Sequence, residues 1–183
     1  MVKFIFLLIA SMCGLFAQAG VKDLDMFGLK GPVDSICIIM NDAGLEWQNE
    51  FTFDEHGMLV ELDGMEVECT RDELGRMKTI IVEDVVEDNE DAFTTIEMHL
   101  FYDNAGRVVK VTSMSADETW TQNYRYHHNG NLKERDYDSV DSDEMLTYVY
   151  LKFDDYGNWT KRQEKLASMD QTITQTRNIT YRK

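Results

Sequence analysis

A short pattern recurs along the chain and constrains its fold more than any other feature. Each copy has an aspartate, or a residue in its place, then two variable residues and a glycine. In a type I turn the first side chain accepts hydrogen bonds from backbone amides, and the residue leaving the turn takes a positive φ, which favours glycine. The pattern therefore predicts chain reversals, not metal or catalytic loops. The six copies begin at Asn41, Asp54, Asp72, Asp103, His127 and Asp154 and end at Gly44, Gly57, Gly75, Gly106, Gly130 and Gly157.

Runs of aromatic and β-branched residues flank these corners and are typical of β-strands. In segment 45–53, Leu45, Trp47, Phe51 and Phe53 fall on one face, and the residues between them are mainly polar. Polar patches separate the runs and predict about twelve strands connected in sequence order, an antiparallel meander. Strands that are apolar on one face cannot lie flat in water, so the all-β sheet must curl, close into a barrel or fold over on itself.

The final strand has a polar face made entirely of threonine and asparagine. Residues of this kind suit an edge strand or a solvated outer strand. They are Thr172, Thr174, Thr176, Asn178 and Thr180.

The first nineteen residues have the features of a secretory signal. Lys3 precedes an apolar run over 4–16, and the small residues Ala17 and Ala19 predict cleavage after Ala19. The run is short for a bilayer span and no stop-transfer pattern follows, so we expect no retained membrane span. Lipidation at Cys13 stays open, although Met12 stands where a small residue is expected.

Removal of residues 1–19 leaves 164 residues, 20–183, which is about one domain. Lys3 is the one charge lost, so 17 basic and 34 acidic residues remain and the net charge is −17. A charge of this sign repels nucleic acid and argues against nucleic-acid partners. Two cysteines remain, Cys37 and Cys69, and an oxidising compartment makes them a candidate disulfide that sequence leaves undecided.

The flanked corners resemble the YD repeats of the bacterial RHS family, in which an aromatic residue and Asp-x-x-Gly are followed by Arg or Asn and an apolar residue. The matching segments are FDEHGMLVE, RDELGRMKTI, FYDNAGRVVKV, YHHNGNLKE and FDDYGNWTKR. The segment GLKGPVDSI also resembles the start of small secreted bacterial proteins that carry such repeats. The resemblance implies strips of β-hairpins in a bacterial exported protein. Long family members enclose cargo or take part in cell-surface and carbohydrate contacts, but five or six copies are too few to form a shell.

The polar residues offer no recognisable catalytic or metal constellation. The acidic run 83–91 lacks the fixed spacing of a calcium loop and is expected to be a solvated hairpin tip. His127 and His128 are neighbours whose side chains diverge, which does not suit zinc. The chain has no Gly-x-Ser-x-Gly nucleophile elbow. We therefore predict no catalytic residues, no metal and no cofactor.

The aromatic residues are the remaining candidates for ligand contacts. Trp120, Tyr150 and Trp159 suit a flat face for a sugar or a hydrophobic partner, while the alternative is that they line the core of the curled sheet. Trp159 follows a corner directly and is expected to be the most exposed of the three.

These observations favour an exported, non-catalytic binding or scaffold protein of the bacterial envelope, located in the periplasm, at the cell surface or outside the cell. A glycan or an envelope protein is the expected partner. Two alternatives stay open: an envelope enzyme that acts on glycans, and a β-barrel carrier of a small apolar ligand.

Overall fold

The computed structural model describes residues 22–42, 44–86, 89–115, 119–139, 143–168 and 171–183. The predicted signal 1–19, with Cys13, lies outside these residues. The described part contains no helix long and apolar enough to cross a membrane. Its elements are α1 Asp23–Met26, β1 Val33–Asp42, β2 Leu45–Phe53, β3 Leu59–Leu62, β4 Met65–Glu66, β5 Glu68–Arg71, β6 Met77–Val86, β7 Asn89–Tyr102, β8 Val108–Met114, β9 Thr119–Tyr126, β10 Leu132–Ser139, β11 Asp143–Phe153, β12 Trp159–Leu166 and β13 Gln171–Tyr181.

The thirteen strands form one antiparallel sheet in which, apart from β4 and β5, neighbours along the chain are hydrogen-bonded neighbours in the sheet. The one pairing between strands distant in sequence is that of β1 with β13, in which Val33 lies opposite Tyr181 and Asn41 opposite Thr174. This pairing joins the two ends of the meander, so the sheet is a nearly closed barrel with a seam between β4 and β5. The predicted all-β antiparallel meander is confirmed. Of the two predicted forms, a curled open sheet or a barrel, the structure shows a nearly closed barrel.

Of the two alternatives for the final strand, an edge strand or a solvated outer strand, the structure shows the second. β13 has a hydrogen-bonded neighbour on each side, β1 and β12. Its threonines face outward, while Ile173, Gln175 and Arg177 are buried on the inner face. The polar face therefore marks the solvated side of an interior strand, because in a barrel every strand has a wet outer face.

The seam falls within one extended run of chain. Leu62 pairs with Met65, so β4 borders β3, and the Val67 amide donates to the Val60 carbonyl at 3.0 Å. The next residue, Glu68, pairs with Ile81, so β5 borders β6. The run changes partner at Val67, which is why thirteen strands are found where about twelve were predicted.

Five of the six predicted corners lie together at one end of the barrel, here named the corner end. In the last of them the Gly157 amide donates to the Asp154 carbonyl at 3.0 Å, and Asp154 Oδ1 accepts the amides of Tyr156 and Asn158 at 3.0 and 2.8 Å. Gly157 has φ +81°. The same backbone bonds recur in the corners that start at Asp54, Asp72, Asp103 and His127, so these five are confirmed as bends.

The copy at Asn41 also marks a reversal, as predicted, but it differs from the other five. Asn41 is a strand residue paired with Glu46, and Asp42 pairs with Leu45, so the reversal comes after Asp42. It lies at the end of the barrel opposite the corner end. Gly44 has φ +92°, a conformation that tight hairpins favour for glycine.

Tyrosines tie neighbouring corners together. The Tyr102 hydroxyl donates to the Met77 carbonyl at 2.6 Å, and Tyr126 donates in the same way to Val108. Each acceptor lies two residues after the glycine of the preceding corner. The Tyr150 hydroxyl repeats this arrangement by donating to the Leu132 carbonyl at 3.0 Å.

Residues 22–30, here named the plug segment, cover the interior at the corner end. The Phe27 ring meets those of Phe51 and Phe53 edge-on, each at 5.0 Å between centroids. The helix α1 is one turn long because Gly28, with φ 63°, turns the chain away. Leu24, Met26 and Leu29 are also buried, so this segment supplies much of the apolar core at this end.

The plug segment also bridges the seam. Asp23, which is almost fully buried, accepts the Leu59 amide of β3 at 2.8 Å and both terminal nitrogens of Arg71 of β5 at 2.9 and 2.8 Å. One carboxylate thus joins the two sides that lack strand pairing.

Candidate functional site

The aromatic residues predicted to contact ligand lie mainly in the interior. Trp120 is 2% and Trp159 6% exposed, so the expectation that Trp159 is exposed is wrong. The residue follows a corner, as predicted, but its ring turns inward and packs against Tyr150, which is half-buried. The core alternative therefore describes where these side chains lie.

Three arginines from one side of the barrel project into its interior and are here named the arginine cluster: Arg135 of β10, Arg162 of β12 and Arg177 of β13. Each is 1% exposed or less. Each lies on the inward-facing side of its strand together with an apolar residue of that strand, as Arg177 does with Ile173. Arginine is seldom fully buried unless it is paired, so the cluster is the strongest chemical anomaly in the described residues.

A chain of short hydrogen bonds connects two of these arginines. Arg135 Nη2 donates to Glu164 Oε1 at 2.6 Å, and Gln175 Nε2 donates to Glu164 Oε2 at 2.5 Å. Gln175 Oε1 in turn accepts Arg162 Nε at 2.6 Å. The Glu164 carboxylate is fully buried, and it is committed to Arg135 and Gln175.

Trp159 lies against Arg162, at the far end of this series of hydrogen bonds, and also against Arg177. The guanidinium carbon Cζ of Arg162 is 4.2 Å and that of Arg177 is 3.8 Å from the Trp159 ring centroid. The Arg162 Cζ is also 4.5 Å from the Tyr148 centroid and 5.9 Å from that of Tyr150. Cation–π contacts of desolvated arginines contribute about 2 kcal/mol each, so these rings offset part of the cost of burial.

Several donors of the cluster are buried without a hydrogen-bond partner among the described residues. They are Nη1 and Nη2 of Arg162, and Nε and Nη2 of Arg177. The remaining nitrogen of Arg177, Nη1, donates to the Phe27 carbonyl of the plug segment at 3.3 Å. The Tyr148 hydroxyl is in the same unpartnered state.

The electrostatic balance of the cluster is positive. Among the described buried residues of the strands, Glu164 is the one carboxylate, whereas three guanidinium groups are buried. Burial lowers the pKa of Arg177 well below its ordinary value, and the charge of Arg162 lowers it further, against smaller opposing effects of Tyr150, Asp154 and Tyr181. Burial acts in the same direction on Arg135, but there Tyr148 and Glu164 outweigh it and the pKa is raised. Arg177 thus has less compensation from nearby groups than Arg135 has.

The other predicted features lie elsewhere. Cys37 of β1 and Cys69 of β5 are both free thiols, so the candidate disulfide is not formed. His127 and His128 are exposed at the corner end. The side chains of the acidic run 83–91 lie largely outside what the structure describes. In the described ranges no group of three or more His, Cys, Asp or Glu side chains is placed to hold a metal ion.

The arginine cluster was not predicted, although the sequence contains a signal for it. In β13 the polar threonines alternate with Ile173, Gln175 and Arg177. If Ile173 faces the core, the period of two requires Arg177 to face it as well.

No family model matches the chain, and no curated protein matches it. Among solved structures, it is similar to a porin-like protein from Bacteroides uniformis ATCC 8492. The TM-score is 0.40 and the identity 10%, over 83% of this chain and 99% of that chain. Similarity of this size establishes neither family nor function.

Proposed function

We propose that the chain is an exported, non-catalytic binding protein of the bacterial envelope that holds a small ligand inside its barrel. The signal-like residues 1–19 support export, and the resemblance to YD repeats supports a bacterial envelope protein. The arginine cluster would line the ligand site, and the rings of Trp159 and Tyr150 would lie beside it.

The unpartnered donors of Arg162 and Arg177 carry this proposal. A buried donor without a partner costs about 1–3 kcal/mol, and a charged one costs more. Four such nitrogens on two neighbouring side chains therefore favour a bound molecule that accepts hydrogen bonds.

This arrangement does not suit a carrier of a purely apolar ligand, because an apolar molecule would leave the cations of Arg162 and Arg177 without compensation. A sugar platform on the outer surface formed by Trp120 and Trp159 is also disfavoured, since both rings are buried. A ligand with acceptor oxygens that enters the interior agrees with both observations.

Native mass spectrometry of the chain lacking residues 1–19 tests the proposal. We expect the measured mass of the native protein to exceed the mass of the polypeptide, and this difference to disappear when the protein is denatured. The excess should also be lost in Arg162→Met and Arg177→Met, and it should persist in Arg125→Met, which changes an exposed arginine of β9. A wild-type mass equal to that of the chain alone would argue against an internal ligand.

A second candidate, scaffolding through a protein contact, is favoured by the outer face of β11. Its outward residues Met145, Val149 and Leu151 are 42–47% exposed, and Phe153 extends the apolar strip toward the corner end. Val149→Lys should then weaken capture of an envelope protein by the immobilised chain, whereas Thr121→Lys on the outer side of β9 should not. Equal capture by all three chains would remove the support for this role.

A further inference from the structure

We infer that the ligand of the arginine cluster is a small oxyanion, a carboxylate, phosphate or sulfate group held between Arg162 and Arg177. The inference rests on the proposed function, because it names the chemical class of the molecule bound inside the barrel.

The free nitrogens of each arginine form an adjacent pair. In Arg162 the Nε is used by Gln175, which leaves the two terminal nitrogens, Nη1 and Nη2, as an end-on fork. In Arg177 the Nη1 is used by Phe27, which leaves Nε and Nη2 as a side-on fork. A guanidinium fork of either kind matches two oxygens of a carboxylate, phosphate or sulfate.

The two forks belong to one site. Both guanidinium carbons lie against the same Trp159 ring, at 4.2 and 3.8 Å from its centroid. Their separation is therefore at most 8.0 Å, the sum of the two distances. A carboxylate, phosphate or sulfate group held between two guanidinium groups on one side of the ring fits within this limit.

The charge of the interior selects an anion over a neutral acceptor. Glu164 is committed to Arg135 and Gln175, so it does not neutralise Arg162 or Arg177 by direct contact. Water would satisfy the hydrogen bonds but leave two desolvated like charges side by side. An anion satisfies the hydrogen bonds and removes the repulsion, and charge-assisted hydrogen bonds are about twice as strong as neutral ones.

Inorganic phosphate is the probe for this inference. Because both arginines are buried, the chain is refolded from urea in buffers of constant ionic strength that contain increasing phosphate in place of chloride. The thermal midpoint is then measured for the wild type, Arg162→Lys, Arg177→Lys and the control Arg125→Lys. Lysine keeps the charge but removes the fork.

We expect the wild-type midpoint to rise with the logarithm of phosphate concentration, as linkage requires for a ligand of the folded state. The phosphate affinity should fall roughly tenfold or more in Arg162→Lys and Arg177→Lys, the loss expected for one charge-assisted hydrogen bond, and should be unchanged in Arg125→Lys. An equal rise in all four proteins would show general exclusion of phosphate from the surface and would overturn the inference.

Measurements on the wild type alone keep the inference testable if a lysine variant fails to fold. The ³¹P resonance of phosphate should broaden in the presence of the refolded protein and sharpen again when sulfate is added. An unaltered resonance together with an unchanged midpoint refutes an oxyanion site. If a releasable mass excess is nevertheless found, an internal ligand of another class is present and the proposed function stands; if the excess is also absent, both fail.

Discussion

The guanidinium of Arg76 lies over the ring of Tyr102, with 4.3 Å between the Arg76 Cζ and the ring centroid. Arg76 also pairs with Asp72 of its own corner at 2.6 Å. Arg107 repeats the arrangement, with its Cζ 4.8 Å from the centroid of Tyr126. The arginine after the glycine therefore connects its corner to the tyrosine that precedes the next corner along the sheet. This contact gives a physical reason for an aromatic residue before the aspartate and an arginine after the glycine.

The tyrosine hydroxyls in this arrangement should contribute measurably to stability. Tyr102→Phe removes the hydrogen bond to the Met77 carbonyl but keeps the ring under Arg76, so we expect the free energy of unfolding to fall by about 1 kcal/mol. Urea unfolding followed by circular dichroism measures the change. Tyr156→Phe, at an exposed ring of the last corner, is the matched control and should change stability much less.

Alanine substitutions at two corner glycines should distinguish the cost of backbone strain from the cost of a clash with the plug segment. Gly106 and Gly57 have φ values of +79° and +81°, but an added Cβ meets nothing within 4 Å at Gly106 and would lie 2.8 Å from Leu24 Cδ1 at Gly57. Gly106→Ala should cost about 1–2 kcal/mol for the left-handed backbone alone. Gly57→Ala should cost more, since Leu24 must also move. Equal costs in thermal unfolding would contradict the packing of the plug segment on this corner.

The buried carboxylate at the seam should be important for stability. Asp23→Ala leaves the Leu59 amide without its acceptor and Arg71 without its partner, and we expect a loss of about 2 kcal/mol because Arg71 keeps some contact with water. The amide hydrogens of Leu59 and Val67 at the two edges should also exchange faster. Asp34→Ala, which removes a more exposed pair with Arg182, is the control and should have little effect on exchange at the seam.

The corner aspartates predict how stability depends on pH. Burial acts to raise the pKa of Asp72 and Asp103, but hydrogen bonds from Arg76 and Arg107 and from corner amides outweigh it, so both values lie below the ordinary 3.8. A carboxylate with a lowered pKa in the folded state stabilises it above the unfolded pKa and ceases to do so as pH falls through the folded value. The urea midpoint should therefore drop below about pH 4, and it should drop less steeply in Asp103→Asn. An unchanged slope in that variant would assign the acid sensitivity to other groups.

The buried Arg135–Glu164 pair should show strong coupling. Glu164→Gln leaves the Arg135 charge buried without its carboxylate, and we expect a loss of about 3 kcal/mol or more. Arg135→Met in the same chain should recover much of that loss, because it removes the uncompensated cation. A double-mutant cycle by urea unfolding measures the coupling. Additive effects would mean that the two side chains do not interact in the folded protein.

Local chemistry explains why most of the fold was predictable. The corners at Asp54, Asp72, Asp103 and Asp154 depend on hydrogen bonds within a few residues, so the sequence indicates them directly. The copy at Asn41 marks a reversal of a different kind, because glycine suits more than one type of hairpin. The closure of the barrel depends on the pairing of Val33 with Tyr181, a contact between distant parts of the chain that no local pattern records.

The candidate site was not predictable to the same degree. Alternation in β13 is sufficient to turn Arg177 inward, but it does not place that side chain beside Arg162 or show that Trp159 lies against both. These contacts depend on the relative register of β12 and β13. The direction of the Trp159 ring was wrongly predicted for the same reason, since the residue after a corner faces inward or outward according to the bulges of its own pair of strands.

The pairing of β1 with β13 sets the order in which the protein can mature. Hairpins made of adjacent strands can form as soon as both strands have been synthesised, but β1 must wait for its second partner, which lies about 150 residues downstream. Until β13 is in place the apolar face of the growing sheet is not enclosed, and such surfaces associate with other chains. The protein is therefore most prone to aggregate before its thirteenth strand pairs with its first.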